Sequence, residues 1–392
     1  FQKRMNLMKT LSFLQSGIKK FVLVITLGLL STSIHANANS KEEPPFKEQS
    51  ILIALLLDTS NSMDGLIDQA KSQLWKIVNE LSKAQCDDSS RPNIKIALYE
   101  YGNDRLLSSE GYIRQVSGLT DDLDLVSERL FGLTTRGGNE YCGYVIKTSL
   151  AQLDWTTSDA DLKMIFIAGN EPFTQGTVPF KVACTSAQQK GIVVNTIYCG
   201  NYTEGINTEW KKGADLTGGT YMSIDQDERT VYVATPFDDQ LTHLNMQLNE
   251  TYVYYGASGA SKQNLQSRQD ANALKYGKSN EVERAISKSS HVYKNSSWDL
   301  VDASKDNDKV LDDAKTQDLP KEMKGMSIEQ RKGYIKVKAG QRKKIQDDIQ
   351  LLSVKRQEYI VSQSKGDDKK MLDVVMIKSI RDQAKVKKLN WK

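Results

Sequence analysis

Apolar residues in this chain fall into two kinds of pattern. The first is a short unbroken run. Ile51–Leu57 and Leu162–Ala168 are almost wholly apolar, and Ile192–Tyr198 and Ile94–Tyr101 are largely so. Runs of this length fit strands buried on both faces of a parallel sheet. The second is spaced. Leu66, Ile67, Ala70, Leu74, Ile77, Val78 and Leu81 recur at helical intervals across residues 64–83. Like spacing predicts helices over 121–131, 144–153, 178–190, 208–216 and 228–250. In the last of these, Phe237, Leu241, Leu244 and Leu248 form a seam. A short edge strand at 111–116 and a final strand at 220–224 complete the series. Strands alternating with helices from 51 to 250 specify an α/β domain, a doubly wound, mostly parallel sheet flanked by helices.

Past residue 250 the pattern changes. Residues 251–320 form a connector with short helical patterns and polar loops, and Pro320 marks a boundary. Residues 327–362 then read as one long helix, with Ile345, Ile349, Leu352, Tyr359 and Ile360 near one stripe of a highly charged rod. The stripe departs from regular heptads, so packing within the chain is expected rather than a coiled coil. A second helix over 370–388 carries Met371, Val374, Val375, Ile377, Ile380 and Ala384. Residues 321–392 thus form an α-helical C-terminal extension.

Charge separates these regions. Residues 321–392 carry 20 Lys and Arg against 9 Asp and Glu, a net +11, while residues 39–320 carry 28 against 40, a net −12. The basic tail reads as a solvated helical surface, or as a segment docked on the acidic body. At the other end, Lys9, Lys19 and Lys20 precede the apolar run Phe21–Leu30, and Ala36-Asn37-Ala38 follows. This is the pattern of a secretory signal peptide over residues 1–38, leading into a polar linker at 39–50. The expected address is therefore outside the cytoplasm, in a periplasm, an envelope or the medium. Membrane attachment would come only through an uncleaved signal, and nucleic acid is not an expected partner.

Export changes the reading of the four cysteines. Cys86, Cys142, Cys184 and Cys199 are an even set in an oxidising compartment, so two disulfides are expected, with three pairings open. After cleavage only His243 and His291 remain as histidines, which leaves little support for zinc or a His-based triad. No nucleophile–base pair is visible along the chain, so binding rather than catalysis is expected.

The candidate chemistry sits where the first buried strand stops. Ile51–Leu57 ends in Asp58-Thr59-Ser60-Asn61-Ser62. One carboxylate and two hydroxyls arrive together at the carboxyl end of a central strand, where open α/β sheets bind ligands. These hard oxygens suit Mg²⁺ or Mn²⁺. The plainer reading is that Ser62 caps the following helix.

This Asp-x-Ser-x-Ser loop, between its strand and helix, resembles the first metal-site loop of von Willebrand factor type A (VWA) domains. The resemblance implies a metal-ion-dependent adhesion site built from three loops. It further implies octahedral Mg²⁺ that keeps several waters, with one position open to an acidic side chain of a protein partner. The second family loop supplies a Thr after a glycine pair. Here Gly137-Gly138 is followed by Asn139-Glu140, and Thr134 and Thr135 come before the glycines. The third family loop supplies an Asp. Here Ala168-Gly169-Asn170-Glu171-Pro172 offers Asn170 as nearest isostere and Glu171 as nearest carboxylate. The candidate ligands are therefore Asp58, Ser60 and Ser62, with Glu140, Asn139 and Asn170 as substitutes. A carboxylate in either rebuilt loop would tighten cation binding and weaken the ion's pull on a partner's carboxylate. The expected function is an extracytoplasmic protein-binding, adhesion-type module. The alternatives are a metal-assisted hydrolase, or an envelope scaffold that acts through its helical tail with a vestigial site.

Overall fold

The computed structural model describes residues 49–225, 232–307, 309–363 and 372–391. The chain divides into a unit of residues 1–47 and one of residues 48–392. The expected signal peptide and nearly all of the linker lie outside the described residues. So do positions 228–231 and 370–371 at the starts of two expected helices.

β1 (Ser50–Asp58) is the axis of the larger unit. It is apolar from Ile51 to Leu57 because both of its faces are covered. After α1 (Asp64–Leu81) and the two-residue β2 (Ala84–Gln85), β3 (Asn93–Tyr101) pairs with β1 in parallel. β4 (Ile113–Thr120) returns antiparallel as the edge strand, and α2 (Leu123–Phe131) follows, capped by the Asp122 carboxylate on Leu125 N. The chain then crosses over through α3 (Cys142–Gln152) to β5 (Leu162–Gly169), on the opposite flank of β1. α4 (Phe180–Gln189), β6 (Val193–Cys199), α5 (Tyr202–Asn207), α6 (Trp210–Asp215) and β7 (Tyr221–Ile224) extend the sheet that way. The strand order is β4-β3-β1-β5-β6-β7, parallel except for β4. The direction of winding reverses between β1 and β5, which opens a crevice at their carboxyl ends.

Two predicted helices differ from the observed ones. The expected helix at 208–216 is found as α6, and a separate short helix, α5, precedes it; Glu209, at a left-handed φ of 72°, keeps the two from joining. The expected helix at 228–250 starts late, as α7 (Asp238–Asn249). Pro236 stands just before it, and the Asp238 carboxylate accepts hydrogen bonds from the Thr235 amide and hydroxyl.

The connector forms α8 (Gly259–Lys275), α9 (Lys278–Ser289), α10 (Leu300–Asp306) and α11 (Val310–Asp313), and the helical extension forms α12 (Ile328–Gln363) and α13 (Leu372–Val386). It packs on the α1/α2 face of the sheet, where Ile349, Leu352, Met376 and Ile380 join the same apolar core as Leu66 and Val126. The basic tail is thus docked on the body rather than left as a free solvated rod. A last strand, β8 (Asn390–Trp391), pairs antiparallel with β2 and ties the chain's end to the foot of α1. No described helix is long and apolar enough to cross a membrane.

The side of α12 that faces the body is not purely apolar. Arg342, 1% exposed, bonds the Asp299 carboxylate, Asp302 Oδ1 and the Thr251 carbonyl, and stacks on the Tyr252 ring at 4.0 Å. Arg356 joins Asp238 at 2.9 Å and Glu283 at 2.7 Å. Between α2, α8 and α9, Arg284 and Lys288 are held by Asp124 and Asp270.

The expected disulfides are absent. All four cysteines are free and buried. Cys86 and Cys199 share one core, but Cys86 follows α1 at the amino edge of the sheet and Cys199 ends β6 at the carboxyl edge. Cys142 and Cys184 lie in the core of the other face, on adjacent helices. Burial pushes the Cys184 thiol up to about 12, so it packs as a small apolar group without thiolate character.

Candidate carboxyl-edge cation site

Three loops meet where β1, β3 and β5 end. Asp58 is the last residue of β1 and is fully buried. Its Oδ1 accepts the Ser60 amide at 2.7 Å, which closes the loop into a tight turn. Ser60 and Ser62 place their hydroxyls 3.2 Å apart. The second loop is pinned to the first by the Arg136 amide on the Thr59 carbonyl at 2.8 Å, and to the turn after β3 by an Arg136–Asp104 ion pair. It delivers Glu140, 3% exposed, against Asp58. The third loop adds Asn170, whose Nδ2 lies 3.2 Å from Ser62 Oγ.

Glycines make room for this convergence. A Cβ on Gly102 would come within 2.7 Å of Asp58 Oδ1 and 2.8 Å of Glu140 Cγ. A Cβ on Gly138 would stand 2.4 Å from the Gly102 carbonyl, so the second loop needs a glycine to approach this closely. At the end of β5, a Cβ on Gly169 would meet the Tyr101 hydroxyl at 2.6 Å and Asp58 Oδ2 at 3.1 Å.

The electrostatics of the site are unbalanced. Asp58 Oδ2 and Glu140 Oε2 are buried with no hydrogen-bond partner. Burial, followed by the nearby Glu140 carboxyl, raises Asp58 well above the usual carboxylate range, against the opposing pull of Ser60. Burial also raises Glu140, and the charge of Glu171 adds to this, although hydrogen bonds with Asp58 and Ser60 pull the other way. The two carboxyl groups lie within hydrogen-bonding reach of each other, and a pair of ionised acceptors supplies no donor. Only a shared proton or a cation satisfies both. No basic side chain pairs with either among the described residues.

The donor set fits a hard divalent cation: two carboxylates and two hydroxyls, all oxygen, around an unsatisfied buried pair. No group of three His, Cys, Asp or Glu is found among the described residues. A site completed by serine hydroxyls does not depend on such a group.

The structure brings together Asp58, Ser60, Ser62, Glu140 and Asn170. Asn139, next to Glu140, is exposed. Ser62 does not cap α1, whose N-terminus has no side-chain cap; its hydroxyl faces Ser60 and Asn170 instead. Thr135, before the glycines, turns its hydroxyl to Asp64 at the start of α1. Sequence reasoning missed Gln175, whose Oε1 accepts the Glu140 amide at 2.6 Å and couples the second loop to the third. It also missed Tyr101, buried beside Asp58, which donates to the Ala168 carbonyl at 2.9 Å. In the sequence Tyr101 is only the last residue of a largely apolar strand run, and nothing marks Gln175.

No protein-family model and no curated protein sequence matches this chain. Solved structures do match it over its α/β part. BatB from Bacteroides thetaiotaomicron is 17% identical, covering 45% of this chain and 91% of that one, with a TM-score of 0.34. The SpRpn10 VWA domain is 14% identical, covering 46% and 90%, with a TM-score of 0.35. Proximal thread matrix protein 1 from the mussel byssus, with a zinc-occupied MIDAS motif, is 12% identical, covering 46% and 43%, with a TM-score of 0.33. In its own sheet order and in its Asp-x-Ser-x-Ser loop, the chain resembles a VWA domain that carries a helical extension.

Proposed function

We propose that this protein is an extracytoplasmic binding module that holds a divalent cation, Mg²⁺ or Mn²⁺, at the carboxyl edge of its sheet and presents it to a protein partner. The observation that carries the reading is the buried Asp58–Glu140 pair, with one unpartnered oxygen on each carboxylate. Asp58 and Glu140 would hold the ion, Ser60 and Ser62 would add hydroxyls, and Asn170 would orient Ser62. When bound, the cation supplies a positive centre with coordination positions open to an incoming oxygen.

Binding is favoured over hydrolysis because the serine hydroxyls beside the pair are taken by the proposed cation and the neighbouring thiol is unsuited to attack. Cys142 is buried, and burial pushes its thiol well above the ordinary range. The extracytoplasmic address rests on the signal-like pattern of residues 1–38.

The test is the electron paramagnetic resonance signal of free Mn²⁺. Titration with the full chain should remove the signal at one ion per chain, and Mg²⁺ should restore it by competition. The Asp58→Asn variant should leave it unchanged. If the wild-type protein also leaves it unchanged, the cation reading is lost.

A further inference from the structure

The charge around the pair identifies the kind of ligand the site accepts. Asp58 and Glu140 together neutralise a divalent ion, so the bound centre has no net positive charge to offer. Two more carboxylates stand at the rim. Glu171 is exposed at the end of β5, close enough to raise Glu140 by its charge. Asp64 stands on the other side at the start of α1, reached by the Thr135 hydroxyl. Neither is ion-paired among the described residues, and Arg136, the basic group of the second loop, is engaged by Asp104 at 2.9 Å. An incoming carboxylate would therefore meet a neutralised ion inside a negative rim, and like charges brought together across an interface are repelled. A neutral oxygen meets no such barrier, and a neighbouring cation gains from Glu171. Exposed apolar side chains lie on the same edge of the sheet, Leu107 after β3 and Tyr202 after β6, and such surface fits a protein partner.

Resting on the cation reading above, we propose that this site selects against acidic ligands. It binds a protein segment that brings a neutral amide or hydroxyl oxygen to the ion and a Lys or Arg side chain to Glu171. Glu140 and Glu171 are its specificity-determining residues.

Water-proton relaxation of the Mn²⁺-loaded full chain tests this, with acetate and acetamide as probes and sodium chloride as the ionic-strength control. Acetate should displace water from the wild-type ion no better than acetamide does. In Glu171→Gln, which leaves the proposed ligands in place, acetate should gain several-fold. Acetamide should be unchanged in that variant. Acetate binding to the wild type about tenfold better than acetamide would overturn the proposal, as would equal acetate affinity in wild type and Glu171→Gln. Absence of Mn²⁺ from the wild-type chain is a separate result, seen before any probe is added, and it overturns the cation reading together with this one.

Discussion

Two sets of buried carboxylates in this molecule are treated in opposite ways. Among the described residues of the helices from α7 onward, each buried one has a cationic partner. Asp299 faces Arg342, Asp238 faces Arg356, and Asp270 faces Arg284 and Lys288. At the carboxyl edge of the sheet, Asp58 and Glu140 are buried as deeply and face each other. Paired buried charge fixes how elements dock. Unpaired buried charge works against folding and persists where something outside the chain completes it. The contrast separates the part of the molecule that holds its shape from the part that acts.

The largest effect is expected where a pair is broken. Arg342→Ala leaves Asp299 without its cationic partner and the Thr251 carbonyl without the guanidinium donor, and truncating one member of a buried pair costs about 3–5 kcal/mol. Urea unfolding should show that loss, and a change under about 1 kcal/mol would mean that α12 is not anchored by its arginines. The opposite sign is expected at the site. In chelator, Glu140→Gln should raise stability by about 1–3 kcal/mol, because the new amide donates to a carboxylate that lacks a donor. The same change should abolish cation binding. Thermal melts with and without Mn²⁺ read both effects, and destabilisation in chelator would show that the pair is already satisfied.

The Asp58–Glu140 pair and Asp270 should also respond to pH in opposite directions. Asp58 and Glu140 titrate above the unfolded-state value, so in chelator the folded state holds protons that the unfolded state has released. Their contribution is greatest at acid pH and fades as pH rises toward neutrality. Burial alone would raise Asp270, but Lys288 and Arg284 more than offset it and hold it well below the usual range. Its contribution is present above the unfolded-state pKa of about 3.9 and is lost as the solution becomes more acid. Saturating Mn²⁺ should flatten the first slope and leave the second. Asp270→Asn should do the reverse. The smallest effect is expected from Gln175→Ala, which frees the second loop without removing a ligand and should weaken Mn²⁺ by about tenfold. Asn139→Ala should change nothing.

The strands were legible in the sequence because burial on both faces leaves unbroken apolar runs, as in Ile51–Leu57. The first loop was legible because Asp58, Ser60 and Ser62 are close in sequence and stand at a strand end. Glu140 entered as a substitute from its place after Gly137-Gly138, but its contact with Asp58 is a tertiary fact set by Gly102, Gly138 and Gln175. The inward face of α12 misled the pattern in part. Ile349 and Leu352 are buried as expected, while Tyr359 is partly exposed, and Arg342 and Arg356 occupy positions that charge alone assigns to solvent. A guanidinium is buried when carboxylates on other helices meet it, and no periodicity reports those partners. The cysteines misled it altogether, because an even count says nothing about which edge or face of the sheet each thiol reaches.

Calorimetric titration of the full chain with Mn²⁺ and then Mg²⁺ near neutral pH, beside the Asp58→Asn variant, bears most directly on the carboxyl-edge site. One binding event per chain is expected in the wild type, with a heat that varies with the buffer as protons are released from the Asp58–Glu140 pair, and none in the variant. No heat in either protein, with an unchanged melting temperature in the presence of the ion, would contradict it.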